Sequence, residues 1–185
     1  MHIIPPIEAL HVRALCSDLV PGGEPIAINH QPRLDRPTRE CFPIVEEQIN
    51  THGGSMITGW AIWEWPGLFV EAEFHAIWAD TTGALLDLTP NPLNPAHIVF
   101  LPDPGTRYEG RQIDNVRKPL VKDNDLVRFL FIFRRQFEIL NKGDLAFQHG
   151  AISLPPKAHK ELLSLQKEGA RLERRLKVRY PGPGI

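Results

Sequence analysis

Three residues of this sequence, Cys41, His75 and Asp87, have the side chains that thiol-dependent catalysis requires. A cysteine thiolate attacks a carbonyl carbon, an imidazole moves the proton, and a carboxylate bound to the other ring nitrogen holds the imidazole in the productive tautomer. The expected product is an acyl-thioester, which water or an amine then resolves. This chemistry requires the fold to bring the three side chains together.

Cys41 lies at the start of a predicted helix. In the segment TRECFPIVEEQIN, residues 38–50, Cys41 and the apolar side chains recur at helical spacing, with Thr38 as the N-cap and THGG as the stop. Pro43 falls in or just beyond the first turn, where a missing amide hydrogen is tolerated. We therefore expect the Cys41 thiol near a helix N-terminus, where the helix dipole favours the thiolate.

Three strands are predicted after this helix. Their segments are GWAIWEW at residues 59–65, LFVEAEFHAIW at 68–78 and ALLDLTP at 84–90. The turns PG and ADTTG between them are short, and short connections imply antiparallel pairing. His75 and Asp87 therefore fall on neighbouring strands of an antiparallel sheet.

The apolar pattern predicts how these two strands pair. A turn centred on Thr81 places His75 opposite Asp87 on a polar face and Phe74 opposite Leu88 on an apolar face. Directly opposed residues have Cβ atoms about 4.5 to 5.5 Å apart. An aspartate carboxylate can then accept a hydrogen bond from the imidazole, which would orient it.

The rest of the chain contributes helices and irregular, proline-rich connections. We expect a short helix over residues 8–15, a longer one with an apolar stripe over 124–140, and a third over 157–179 that packs through its leucines. The predicted fold class is α+β. The predicted domains are an α+β core, residues 1–120, and a helical C-terminal extension packed on it, residues 121–185.

Composition limits the classes of partner. A formal net charge of -1 with 23% charged residues gives no overall attraction to nucleic acid or to an anionic membrane. The most apolar run, LVRFLFIF, contains Arg128 and falls far short of the roughly 20 residues that cross a bilayer. The N-terminus has no signal-peptide pattern, so we expect a cytoplasmic protein with no membrane partner. Lys and Arg outnumber Glu in residues 157–179, but without a recognised motif a nucleic-acid partner is not expected.

The order of these features resembles the core of the transglutaminase-like group within the papain-like cysteine hydrolases. The resemblance spans residues 38–90, and it is carried by Cys41 at a helix start, GWAIWE at 59–64, FHAIW at 74–78 and GALLDLTP at 83–90. It implies a papain-like or transglutaminase-like fold with an N-terminal catalytic helix. It also implies a Cys41, His75 and Asp87 triad that acts on a peptide or amide substrate, possibly a protein, without a cofactor.

Acyl transfer also needs hydrogen-bond donors for the developing oxyanion. The residues TRE precede Cys41, where the resembling group has small residues. We assign the donors to the Cys41 backbone amide together with a side chain such as Gln31 or Asn29. Candidates for lining a substrate groove are the tryptophans Trp60, Trp63 and Trp78.

The same residues allow other interpretations. Cys41 could be a small buried hydrophobe, as we expect for Cys16. His75 and Asp87 could form a structural hydrogen bond or bind a metal with Glu73, although no second histidine lies at a useful spacing, so no metal site is predicted. The tryptophans could serve sheet packing, and one of the strand glutamates could select a cationic substrate. The rival function is a non-catalytic binding module that retains this fold.

Overall fold

The computed structural model of this protein describes residues 2–38, 40–148 and 152–182. Arg39 of the predicted helix segment and the outer ends of the two predicted domains, Met1 and Ile185, lie outside the described residues. The elements in chain order are helix α1 (Leu10–Leu19), strand β1 (Ile26–His30), helix α2 (Cys41–His52), strands β2 (Ser55–Trp65), β3 (Phe69–Ala79), β4 (Leu85–Asp87), β5 (His97–Pro102) and β6 (Val116–Pro119), helix α3 (Asn124–Leu140), a short 3-10 helix (Gly143–Phe147) and helix α4 (Pro156–Arg179).

Strands β1 to β5 form a closed five-stranded barrel in an α+β fold, which confirms the predicted class. The strands follow each other in the order β2-β5-β1-β4-β3, and β3 pairs back with β2 from Ser55↔Ala79 to Trp65↔Phe69. The three predicted strands, β2, β3 and β4, pair antiparallel as expected, but the sheet is mixed because β1 runs parallel to β4. Local turn signals could not reveal this pairing, since β1 and β4 are far apart in the chain.

Strand alternation divides the side chains of the barrel between two faces. The outward face packs against helices α1 and α2, and its buried residues include Trp60, Ile62, Phe74 and Ala76. The inward face encloses a smaller core that contains Ile28, Ala61, Trp63, Ile77, Ile98 and Phe100. His75 shares the inward face with Ile77.

One edge of β3 is only partly covered. On that edge β4 pairs with Trp78 and Ala79, and β6 pairs with residues 69–72. Within the part of the chain that the structure describes, residues 73–77 have no strand partner on this edge. His75 lies at the centre of this gap.

The register of β3 and β4 differs from the predicted one by two residues. Trp78 pairs with Leu86, whereas the predicted turn centred on Thr81 implies that Trp78 lies opposite Ala84. A shift of two residues leaves every side chain on its predicted face. His75 and Asp87 consequently share a face, but they are diagonal neighbours and not directly opposed residues.

Helices α3 and α4 pack together on the hairpin end of β2 and β3. Asp123 caps α3 by accepting hydrogen bonds from the backbone amides of Asp125 and Leu126, and the helix has the predicted bounds. Trp65, Leu68 and Phe69 of the hairpin share one buried cluster with both helices. No helix in the described segments is both long enough and apolar enough to cross a membrane.

Candidate active site

Cys41 is the first residue of helix α2. The N-cap is Glu40, not the predicted Thr38, and no side chain caps the helix. The Ile44 amide makes a 3.2 Å hydrogen bond to the Glu40 carbonyl, so the chain turns helical two residues later than predicted. The first amides of a helix have no partner within it and point out of its N-terminus. The Cys41 thiol therefore lies beside the positive end of a helix dipole, as predicted.

His75 and Asp87 are hydrogen bonded inside the barrel. The His75 Nε2 and Asp87 Oδ1 atoms are 3.0 Å apart, and both residues are buried. Asp87 Oδ1 also accepts a 3.1 Å hydrogen bond from the Thr89 backbone amide. The carboxylate is thus fixed by two donors, and it holds the ring from the Nε2 side.

Gly59, the residue opposite His75 on β2, makes room for strand β5. It pairs with His75 across β2 and β3, and a Cβ atom at this position would lie 2.2 Å from the Leu101 carbonyl oxygen and 2.7 Å from the Phe100 ring. The Phe100 ring centroid is 6.5 Å from that of His75, with an edge-on arrangement. A residue without a side chain is therefore needed at position 59 for β5 to approach β2.

The charges of Cys41 and Asp87 act on the His75 ring. Burial of the ring opposes the charged form, but the interactions of the ring with Cys41 and with the Asp87 carboxylate, by charge and by hydrogen bonding, raise the pKa of His75 well above its usual value. Because Nε2 is bound to Asp87, Nδ1 is the ring nitrogen that remains for Cys41. The arrangement favours the imidazolium form of His75.

The carboxyl group of Asp87 is shifted in the opposite direction. Burial alone would raise the pKa of Asp87, but the charge and hydrogen bond of His75, the Thr89 amide and the charge of His30 together lower it. Asp87 is therefore ionised at neutral pH, as an orienting carboxylate must be.

His30 extends this network, although the sequence around it does not indicate a role in the site. Its Nε2 is 3.8 Å from Asp87 Oδ2, its Nδ1 is 2.8 Å from the Pro95 carbonyl oxygen, and its Nε2 is 2.9 Å from the Thr89 carbonyl oxygen. A neutral imidazole donates from only one nitrogen, so both carbonyl contacts are hydrogen bonds only when the ring is protonated. His30 ties together the two ends of the loop between β4 and β5. No local signal could have revealed this role, because it depends on the parallel pairing of β1 with β4.

Cys41, His75 and Asp87 open onto one cavity of about 1080 Å³ between the barrel and the helices α3 and α4. A volume of this order matches the larger ligand sites of proteins. The barrel side contributes Trp63, Glu71 and Glu73, and the facing wall is largely apolar, with Phe133, Leu140, Ile152, Leu154 and Leu162. The predicted helical extension is thus one wall of the candidate site.

The predicted oxyanion side chains require correction. Asn29 and Gln31 are exposed and do not line the cavity. The buried residues of β1 are Ile28 and His30, so alternation turns Asn29 away from the barrel interior. The Gln31 backbone amide instead donates to the Asp87 carbonyl oxygen at 2.8 Å.

Of the three predicted groove tryptophans, Trp63 lines the cavity. Trp60 and Trp78 belong to the outward face, where the Trp60 indole donates to Asp103 at 2.9 Å and the Trp78 indole donates to the Gly53 carbonyl at 2.9 Å. Both therefore stabilise the packing of the barrel and its helices. Alternation along β2 and β3 explains the difference.

The metal interpretation involves Glu73, whose Oε2 accepts a 2.9 Å hydrogen bond from the Trp63 indole. Across residues 2–38, 40–148 and 152–182, no group of three or more His, Cys, Asp or Glu side chains is arranged to hold a metal ion.

Comparison with known proteins gives no relative for this chain. No protein-family model, no curated protein and no solved structure matches it. The chemistry of the site must be inferred from its own geometry.

Proposed function

We propose that this protein is a thiol-dependent amide hydrolase or acyl-transfer enzyme. In this proposal Cys41 is the nucleophile, His75 the general acid and base, and Asp87 the carboxylate that orients the imidazole. The observation that carries it is the convergence of a helix N-terminal thiol and a carboxylate-bound imidazole on one cavity. We further propose that residues 38–90 form a transglutaminase-like core with papain-like topology, which the order of helix, His strand and Asp strand supports.

In the acylation step, the Cys41 thiolate attacks the carbonyl carbon of an amide, and the carbonyl π electrons move onto oxygen. Collapse of the tetrahedral intermediate breaks the C–N bond. The leaving nitrogen takes the Nδ1 proton of the His75 imidazolium and departs as an amine. The products of this step are an acyl-thioester on Cys41 and a neutral His75.

In the second step, neutral His75 accepts a proton from water or from an acceptor amine as that nucleophile attacks the thioester. The C–S bond breaks, and the thiolate and imidazolium are regenerated. Asp87 stays ionised throughout and holds the ring through Nε2. Water gives hydrolysis, and an amine gives acyl transfer.

The backbone amides of Cys41 and Phe42 are the candidate oxyanion donors. Both belong to the first turn of α2, where amides have no partner within the helix. Pro43 has no amide hydrogen, so the donor set of this turn ends at Phe42. A pair of backbone donors at a helix N-terminus is suited to an oxyanion.

Acylation by p-nitrophenyl acetate at pH 7 tests this function without a known substrate. We expect a burst of about one p-nitrophenolate per chain and an acetyl group on Cys41 by peptide mapping. Cys41→Ala should abolish the burst, and His75→Ala should slow it about 100-fold, within the usual range for general acid–base catalysis. The enzyme proposal fails if wild type and His75→Ala acylate equally fast, and the non-catalytic binding module then becomes the better account.

A further inference from the structure

We propose that Glu73 makes the cavity selective for cationic substrates, in which an ammonium or guanidinium group lies close to the amide that Cys41 attacks. This inference rests on the proposed function, because it names the substrate class of the same site. A peptide with a Lys or Arg side chain next to the reacting amide has this chemistry.

Glu73 is placed to contact a substrate held at Cys41. It precedes His75 by two residues on β3, so both side chains lie on the same face, about 6.5 Å apart along the strand. The residue opposite Glu73 on β2 is Ala61, whose methyl group is too small to cover the Glu73 carboxylate. Glu73 lines the cavity and is partly exposed there.

The Glu73 carboxylate has a fixed orientation and, within the described part of the chain, no salt-bridge partner. Its Oε2 accepts the 2.9 Å hydrogen bond from the Trp63 indole. Among the described residues, no Lys, Arg or His nitrogen forms a salt bridge with Glu73. An indole beside a carboxylate also suits a cation, because the electron-rich aromatic ring attracts positive charge.

The neighbouring charges of the cavity are compensated. The Arg117 Nε is 2.7 Å from Glu71, and the Arg117 Nη1 is 3.1 Å from Asp114. The Nε2 of His2 lies 3.4 Å from the same Glu71 carboxylate. Arg117 therefore does not offset the charge of Glu73.

The remaining ionisable groups do not reverse this balance. His75 is paired with Asp87, Glu40 adds a further carboxylate to the lining, and His159 of α4 faces the cavity from the helical wall. The Glu73 carboxylate matches a single positive charge. A divalent metal would need several oxygen or nitrogen ligands, so an organic monocation is the better fit.

Charged thiol reagents measure this selectivity directly. The rate of Cys41 modification by 2-aminoethyl methanethiosulfonate, a cation, is divided by the rate with 2-sulfonatoethyl methanethiosulfonate, an anion. We expect Glu73→Gln to lower this ratio about fivefold. The matched control Glu24→Gln, at an exposed position outside the cavity, should leave the ratio unchanged. An equal ratio in wild type and Glu73→Gln would overturn the proposal.

Two further measurements separate the possible failures. The neutral reagent methyl methanethiosulfonate reports thiol activation alone. If it modifies Cys41 equally fast in wild type and in His75→Ala, that result contradicts the proposed function and not the charge selectivity. If Glu73→Gln does not fold, the wild-type ratio is measured against salt concentration. It should approach the ratio of free cysteine as salt screens the carboxylate, and a ratio equal to that of free cysteine at low salt would overturn the proposal.

Discussion

The two cysteines of this protein lie on two helices that pack against the same outer face of the barrel, yet their surroundings differ. Cys16 sits within α1 among Val12 and Leu15, and burial raises its pKa to about 11. Cys41 starts α2, beside the His75 ring and the cavity. Both are buried, at 1% and 7% exposure, so burial does not distinguish them. The two cysteines are distinguished by their position along the helix and by the polar partner of Cys41, His75.

The largest expected difference is in alkylation. With a pKa of about 11, Cys16 is a thiolate in only about one molecule in 10⁴ at pH 7. We predict that iodoacetamide modifies Cys41 at least about 1000-fold faster than Cys16 in the folded protein, as measured by peptide mapping over time. Comparable alkylation rates at Cys41 and Cys16 would contradict the proposed activation of Cys41.

The substitution Asp87→Asn removes the carboxylate that holds the His75 imidazole beside Cys41, an arrangement that Cys16 does not share. The loss of one partner from a buried ion pair should lower the free energy of unfolding by about 3 kcal/mol near pH 5.5, measured in urea. The pKa of Asp87 is lowered by folding, so its contribution is present above about pH 4 and disappears as the pH falls through the folded value.

The pKa of His75 is raised by folding, so the contribution of His75 is complete below about pH 6.5 and disappears as the pH rises through the folded value. The effect of Asp87→Asn should therefore be greatest between these limits. Asp18→Asn, at an exposed residue that pairs with Lys118, is the matched control and should cost less than about 1 kcal/mol at any of these pH values. A flat pH dependence of the Asp87→Asn effect would contradict the assigned charges.

His75→Ala should bring the two cysteines closer in reactivity. Removal of the imidazolium leaves the helix dipole as the main support of the Cys41 thiolate, so the alkylation rate of Cys41 at pH 7 should fall about 10-fold to 100-fold. The rate at Cys16 should not change. An unchanged Cys41 rate would mean that the helix N-terminus acts alone.

His30→Gln should have the smallest effect. Glutamine can still donate a hydrogen bond to one carbonyl oxygen, but it cannot reproduce the two ring nitrogens that contact the Pro95 and Thr89 carbonyl oxygens in the wild type. We expect a loss of about 1 kcal/mol in stability and less than a fivefold change in the Cys41 alkylation rate. A loss as large as that of Asp87→Asn would make His30 an equal partner of the ion pair.

The parts of the fold that were predictable depend on local signals. Helix α3 has its predicted bounds because its apolar stripe and its Asp123 cap lie within the same short segment. The three predicted strands appear as β2, β3 and β4, and the candidate thiol, imidazole and carboxylate share one cavity. Side-chain alternation was sufficient to assign His75 and Asp87 to one face.

The parts that were not predictable depend on long-range pairing. β4 is only three residues long and is held between β1 and β3, so its register follows from both neighbours and not from the turn at Thr81. The roles of β5, β6 and His30 likewise depend on distant contacts. The sequence carries no signal for the register of β1, and the alternation of that strand turns Asn29 outward.

The titration of His75, followed by NMR of its ring nitrogens, tests the central claim most directly. If the Cys41 thiolate and Asp87 hold the ring as an imidazolium, His75 in the wild type should stay protonated well above pH 6.5, and Cys41→Ala should lower that pKa because one of the two anions is gone. The same titration in Cys16→Ala should match the wild type. A His75 pKa that is identical with and without the Cys41 thiol would contradict the account.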